Sequence, residues 1–333
     1  MTYRTIGHHS ALAGRRVAGL GGRVLVAGLR RLADGATPDV PVPSAARAVD
    51  LPGRGTTHVL DLPGPTPQAP TLLLMHGIAT TGPLTWFSVL DELRQRYRVV
   101  TFDQRWHGRG IRSEDFTLDD CADDAVAVLD ALGIDRAIVV GYSMGGASAQ
   151  VLWHRHPERV AGLVLCSTSA RWQGHLGERV FFLMLRVANY GLLSVAADKV
   201  QAHADTLPPL AQDAPEADLR AWCMSELRAT SLWSLPVVMA ELGRFDATGW
   251  LGEVDVPTGV LVTARDRAIP TERQWEMAGR IPHAITRVAP GGHASLVFDL
   301  ANWKPVFLEL VDAVVDRTGD AAVSRGSAEH RRA

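Results

Sequence analysis

The sequence predicts an α/β fold: a mostly parallel sheet of about eight strands flanked by helices, with a helical cap inserted between strands 6 and 7. Three observations predict it. Short apolar runs alternate with helix-periodic stretches along most of the chain, the pattern of strands joined by crossover helices. One such run, Ile138-Val139-Val140, carries no charge and passes at once into Gly141-Tyr142-Ser143-Met144-Gly145, a tight strand-to-helix turn that holds a serine in the open. Between residues 170 and 250 the strand signal vanishes and only helical pattern remains, so a helical insertion interrupts the sheet.

Residues 1–45 read as an N-terminal extension and linker. Within it, residues 11–33 space Arg16, Arg23 and Arg30 seven apart, with Val17, Leu20, Val24, Leu25, Leu29 and Leu32 between them. This basic amphipathic pattern suits a helix packed on the body of the protein, the favoured reading, or one attached to a membrane surface. Arg15-Arg16 raises an export signal, but Arg23 interrupts the apolar core that such a signal needs.

The core follows at 46–170 and 251–316. Ala46 to Leu51 and Thr57 to Leu62 form a hairpin about Pro52-Gly53-Arg54-Gly55. Thr71 to Met75 is a buried-type strand that runs into His76-Gly77, and Trp86 to Arg96 has helical pattern. Arg98 to Phe102 is the next strand and ends in Asp103 and the loop Gln104 to Gly110. Thr117 and Asp120 have capping-box spacing and start a helix reaching about Leu132; the helix after the serine reaches about His156, where Pro157 stops it. Leu163 to Leu165, Val260 to Val262 and Ile285 to Val288 supply three more strands. Ligands of such a sheet bind at the carboxyl ends of its strands. The polar, arginine-rich end, 317–333, is expected to be a disordered tail.

The cap, 171–250, sets Val180, Leu183, Met184 and Val187 on one helical face, and Asp213 with Glu216 marks a further helix start. Its large side chains exceed what covering a small lid requires. Trp172, Phe181, Trp222 and Trp233 are the candidates for walls of an apolar substrate pocket.

Composition narrows the function classes. In 333 residues, 47% hydrophobic and 21% charged, the net charge of −2 gives no reason to expect a nucleic-acid partner. Cys121, Cys166 and Cys223 are odd in number and far apart, so neither a disulfide framework nor a Cys-x-x-Cys site is indicated and a cytoplasmic location is expected. No apolar run approaches the roughly 20 residues that span a bilayer. His154 and His156 stand two apart on a helix and face different ways, so no metal site is expected, nor any other cofactor.

A serine hydroxyl needs a base within hydrogen-bond reach and a third group to orient that base. His293 closes Val288-Ala289-Pro290-Gly291-Gly292-His293 beyond the last strand, where glycines let the loop approach the serine. Asp266 stands in Thr263-Ala264-Arg265-Asp266-Arg267, just past a strand. The end of the strand Leu163 to Leu165 offers no carboxylate before Glu178.

Together, His76-Gly77, Gly141-x-Ser143-x-Gly145, Asp266 and His293 resemble the α/β-hydrolase fold family in its serine hydrolase branch, over residues 46–316 and with the triad in that family's order. The resemblance implies that Ser143 is the nucleophile, His293 the general base and then acid, and Asp266 the orienting carboxylate. It implies backbone N–H groups of Ile78 and Met144 as the oxyanion hole, and a structural role for His107. Serine at the turn disfavours epoxide hydrolase and haloalkane dehalogenase, whose members carry aspartate there. The expected activity is hydrolysis, through an acyl-enzyme, of a small or medium apolar carboxylic ester, thioester or lactone. Carbon–carbon hydrolases and cofactor-free haloperoxidases share the triad and stay open, as does a non-catalytic ligand-binding protein on the same fold.

Overall fold

A computed structural model describes residue 43, residues 46–208 and residues 219–329. The basic amphipathic segment 11–33 and the helix start at Asp213 and Glu216 lie outside the described residues. Eight strands, β1 (Arg47–Leu51), β2 (Gly55–Leu62), β3 (Thr71–Met75), β4 (Arg98–Phe102), β5 (Ala137–Tyr142), β6 (Val160–Cys166), β7 (Thr258–Thr263) and β8 (Ile285–Ala289), join in one sheet of order β1-β2-β4-β3-β5-β6-β7-β8. β2 runs antiparallel to both β1 and β4, and every other pairing is parallel.

The central strands are apolar on both sides because both sides are covered. Leu73, Met75 and Val139 enter one core layer, with Cys121, Ala125 and Leu129 of helix α3 (Leu118–Ala131) and Leu152 of α4 (Met144–Arg155). Leu72, Leu74, Ile138 and Val140 alternate into the other, against Trp86 of α1 (Gly82–Trp86), Leu90 and Leu93 of α2 (Leu90–Arg94), and Trp303, Phe307 and Leu310 of the last helix. Sequence order turns back between β4 and β5, which flank β3; such a switch opens a crevice at the strands' carboxyl ends.

The helix expected over Trp86 to Arg96 is instead the pair α1 and α2, broken at Phe87 to Val89. Phe87 and Val89 are both buried and the Ser88 hydroxyl donates to the Leu296 carbonyl at 3.1 Å, so tertiary packing overrides a continuous helix. The capping box at Thr117 is half formed: its hydroxyl accepts from the Asp120 N–H at 3.0 Å, while the Asp120 carboxylate bonds that hydroxyl and not the backbone. At the far end, helix is observed through Glu329, past residue 317 where a disordered tail was expected. Ala321, Ala322 and Ala328 there are strong helix formers, which the reading of polarity alone overlooked.

Among the described residues four α-helices lie between β6 and β7: α5 (Leu176–Tyr190), α6 (Leu193–Ala204), α7 (Leu219–Ala229) and α8 (Ser234–Leu242). The chain leaves the sheet and returns side by side. Ala247 N–H donates to the Ala170 carbonyl at 2.7 Å, Arg171 and Asp246 form an antiparallel bridge, and the Gln173 side chain donates to the Gly243 carbonyl. Two ion pairs, Arg171 with Glu276 at 3.0 Å and Arg273 with Glu178, tie this neck to α9 (Thr271–Arg280). The remaining helices are α10 (Ser295–Phe298) and α11 (Leu300–Glu329). Among the described residues no single helix is long and apolar enough to cross a membrane.

Candidate active site

The turn between β5 and α4 shows why its residues are what they are. Ser143 has φ 55° and ψ −117°, a conformation unfavourable for any side-chain-bearing residue. It is held by its N–H donating to the Cys166 carbonyl at 3.0 Å and by glycines on either side. A Cβ on Gly145 would meet the Met75 carbonyl oxygen at 2.1 Å, and one on Gly141 the Gly145 carbonyl oxygen at 2.3 Å. Only glycine lets the helix start this close to β3 and β5.

His293 reaches Ser143 from the loop after β8. Its Nε2 lies 2.9 Å from Ser143 Oγ and its Nδ1 2.8 Å from Asp266 Oδ2. Asp266 is buried and fully engaged. Oδ2 also accepts from the Thr263 hydroxyl at 2.8 Å and the Gln274 amide at 3.1 Å, and Oδ1 accepts from the N–H groups of Ala268 and Ile269, both at 2.9 Å. Burial alone would push its carboxyl up. The charge of a protonated His293 and the bonds from His293, Ile269 and Thr263 outweigh burial and hold Asp266 below the ordinary carboxylate range. The rival carboxylates are occupied elsewhere. Asp103 accepts from the N–H groups of Gly82 and Arg109 at 2.9 and 2.8 Å, and Glu178 pairs with Arg273.

Beside the serine runs the turn after β3. A Cβ on Gly77 would come within 3.5 Å of Ser143 Cβ, so the turn that carries Ile78 passes close to the serine. Among the described residues neither N–H is taken by an internal hydrogen bond, and Ala79 at φ 62° completes the turn. His76 fixes this turn to the next loop: Nδ1 bonds the Gly77 carbonyl at 2.7 Å and Nε2 accepts from the Gln104 N–H at 2.8 Å. Burial, reinforced by His107, pushes His76 down to about 3. His107 is likewise buried, bonded to the Arg105 carbonyl at 2.9 Å and pushed down by burial to about 4, so it packs as a neutral ring.

The four cap aromatics fare differently. Trp222 packs edge to face on Phe87, ring centroids 5.8 Å apart, in a cluster with Leu84 and with Val297 of α10. That cluster bridges the helix after the Ile78 turn and the helix after His293. Trp172 is half-buried against the core, Phe181 packs on Phe182 at 5.3 Å, and Trp233 is 49% exposed.

Four contributors had no signal of their own in the sequence. Tyr142, inside the motif, donates its hydroxyl to the His293 carbonyl and sets its ring 5.3 Å from the imidazole. Thr263 and Gln274 steady Asp266 from a strand end and from α9. Glu226 of α7 is buried, accepts from the Thr81 hydroxyl and lies 3.6 Å from Arg109, joining cap to core; burial, then repulsion by Asp103, pushes it up to about 7.

Known proteins share this architecture. A family model described as alpha/beta hydrolase fold matches residues 70–300. A curated relative, the putative carbamate hydrolase RutD of Caulobacter sp. (strain K31), is 30% identical over 241 residues, covering 70% of this chain and 87% of the relative. Among solved structures, a thermophilic esterase from Thermogutta terrifontis aligns with a TM-score of 0.58 at 25% identity, over 81% of this chain and 99% of that one. The enol-lactonase from Burkholderia xenovorans LB400 aligns with a TM-score of 0.61 at 20% identity, over 81% and 100%, a likeness of fold. With a family match over 70–300 and a switch-point crevice carrying the elbow, the chain belongs to the α/β-hydrolase fold family and is an enzyme of the hydrolase class.

Proposed function

We propose that this enzyme is a serine hydrolase that cleaves a small or medium apolar carboxylic ester, thioester or lactone through an acyl-enzyme on Ser143. The observation that carries the reading is the unbroken hydrogen-bond chain from Asp266 through His293 to Ser143, 2.8 and 2.9 Å long, ending on a strained turn. His293 Nε2 takes the Ser143 proton as Oγ bonds to the substrate carbonyl carbon, while Asp266 holds the Nδ1–H and balances the imidazolium charge. Negative charge then gathers on the carbonyl oxygen, opposite the N–H groups of Ile78 and Met144. When the tetrahedral adduct collapses, the alkoxide or thiolate leaves with the proton from His293. Water, giving its proton to His293, attacks the acyl group and releases the acid and the serine. In a lactone the leaving oxygen stays tethered, so one hydroxy acid is the product.

Apolar preference rests on the cluster of Trp222, Phe87, Leu84 and Val297, drawn from the cap, from the helix after the Ile78 turn and from the helix after His293. Each buried methylene contributes about 0.8 kcal/mol, roughly fourfold in kcat/KM. Across p-nitrophenyl esters from acetate to a medium chain, kcat/KM rises by up to about fourfold per carbon until the pocket fills, and Trp222→Ala moves the preferred length. The relative from Caulobacter is named for carbamates, so a carbamate and a lactone belong in the same series. A flat ester profile, or a Trp222→Ala enzyme that loses stability and keeps the original preference, contradicts the pocket.

A further inference from the structure

Helix α5 is apolar on both of its sides. Phe182 and Asn189 face inward, and the Asn189 amide donates to the Pro236 carbonyl of α8 at 2.7 Å. On the opposite side Leu176, Val180, Leu183, Met184, Val187 and Tyr190 recur at helical spacing as one outward stripe, with Leu176 76%, Met184 64% and Tyr190 93% exposed. Val195 continues the exposed surface on α6, and Trp233, one turn before Pro236, stands at the Tyr190 end. Such a stripe on a surface helix is a docking face.

Charge decides between occupants. Arg179 and Arg186, both exposed and seven residues apart, border the stripe along one edge, and Lys199 lies one turn beyond Val195. Of the acids on the two helices, Glu178 is paired with Arg273, which leaves Asp198. A second copy meeting this face about a twofold axis would bring arginine against arginine with little acid to answer it. Residues 11–33 hold Arg15, Arg16, Arg23, Arg30 and Arg31 and no acid, so that segment would add to the same repulsion.

We propose that the outer face of α5 and α6 docks on an anionic lipid surface, with the apolar stripe among the acyl chains and Arg179 and Arg186 at the phosphates. Geometry sets how it docks. Fifteen residues of α5 extend about 22 Å, short of the roughly 30 Å hydrocarbon core, and α6 departs from α5 at 77°. The inner faces of both helices are also packed on α8. The pair therefore lies along the surface and does not cross it, with Tyr190 and Trp233 at headgroup depth, where such rings settle.

The test is flotation of the full chain with phosphatidylcholine vesicles, with and without phosphatidylglycerol, at low and high salt. The proposal expects binding that needs phosphatidylglycerol and weakens with salt. Met184→Glu with Val187→Glu should weaken it by at least about tenfold, and Arg179→Glu with Arg186→Glu should remove the preference for the anionic lipid. Both sites are exposed, so circular dichroism, Tm and hydrolysis of a water-soluble ester should stay as in the wild type. No vesicle binding, or binding unchanged in Met184→Glu/Val187→Glu, overturns the proposal. So does a dimer, seen by light scattering, that this variant dissociates without any effect on vesicles.

Discussion

At the end of β5, one methyl group on Gly145 would drive into the Met75 carbonyl oxygen at 2.1 Å; on the outside of α5, six large apolar side chains in one stripe stand open to solvent. The strand-end site is determined by its neighbours at each atom. Ser143 cannot relax its backbone, both carboxylate oxygens of Asp266 are engaged, and Tyr142 ties down the His293 loop. The cap is joined to the core by apolar packing, Val200 of α6 and Val238 and Leu242 of α8 in the core cluster and Trp222 on Phe87, and by polar contacts that include the neck at Ala170 and Ala247, the Arg273 and Glu178 pair, and Glu226 against Thr81. A site whose geometry sets a rate tolerates no slack, whereas helices that choose a substrate or a surface need only present the right chemistry. Changes in the first region should therefore cost rate at constant fold, and changes in the second should move preference, stability or location at constant chemistry.

The largest effect expected is that of Ser143→Ala. Turnover should fall on the order of 10⁴-fold or more with Tm nearly unchanged, measured on the best ester of the series. Retention of a tenth of the activity would put the nucleophile elsewhere. Next is Asp266→Asn, expected to cost about 10²- to 10⁴-fold in kcat, since an amide can stabilise the wrong imidazole tautomer and cannot balance its charge. A near-neutral Asp266→Asn beside an inactive Asp103→Asn would break the claim that the core site is uniquely assembled.

These two predictions rest on residues the sequence already marked, and the reason is local. The β5 run, the glycines two either side of Ser143, and the strand-end positions of Asp266 and His293 are all visible within a few residues. The strands were legible for the same cause, since a doubly covered strand has to be apolar throughout; β6 was read short at Leu163 because Ala161 and Gly162 dilute its start at Val160. What stayed hidden depends on contacts between distant parts of the chain. Tyr142 reaches a carbonyl 151 positions on, Gln274 reaches Asp266 from a helix with no motif, and the α1–α2 break answers to packing on α10. The α5 stripe was legible as a helical face but not as an outward one. Nothing within α5 says which of its two apolar sides the cap will bury.

The smallest effect expected lies where the two regions meet. Glu226 sits among Thr81, Asp103, Arg109 and His58, and its folded value of about 7 lies above the ordinary 4.5. The folded protein therefore holds this proton more tightly than the unfolded chain does. The contribution is full below about 4.5 and is lost as pH rises through about 7. Glu226→Gln keeps an acceptor for Thr81 without the charge. Tm of the variant relative to wild type should climb on the order of 2–6 °C between pH 5 and pH 8, and a difference that is constant with pH would contradict the buried carboxyl.

The central claim, that Ser143 is an activated nucleophile, is tested most directly by treating the full chain with a fluorophosphonate and locating the adduct by peptide mass spectrometry. The arrangement of Asp266, His293 and Ser143 predicts one covalent adduct per chain, on Ser143, absent in Ser143→Ala and formed far more slowly in His293→Ala. No adduct on the wild-type enzyme, or one on another residue that persists in Ser143→Ala, would contradict it.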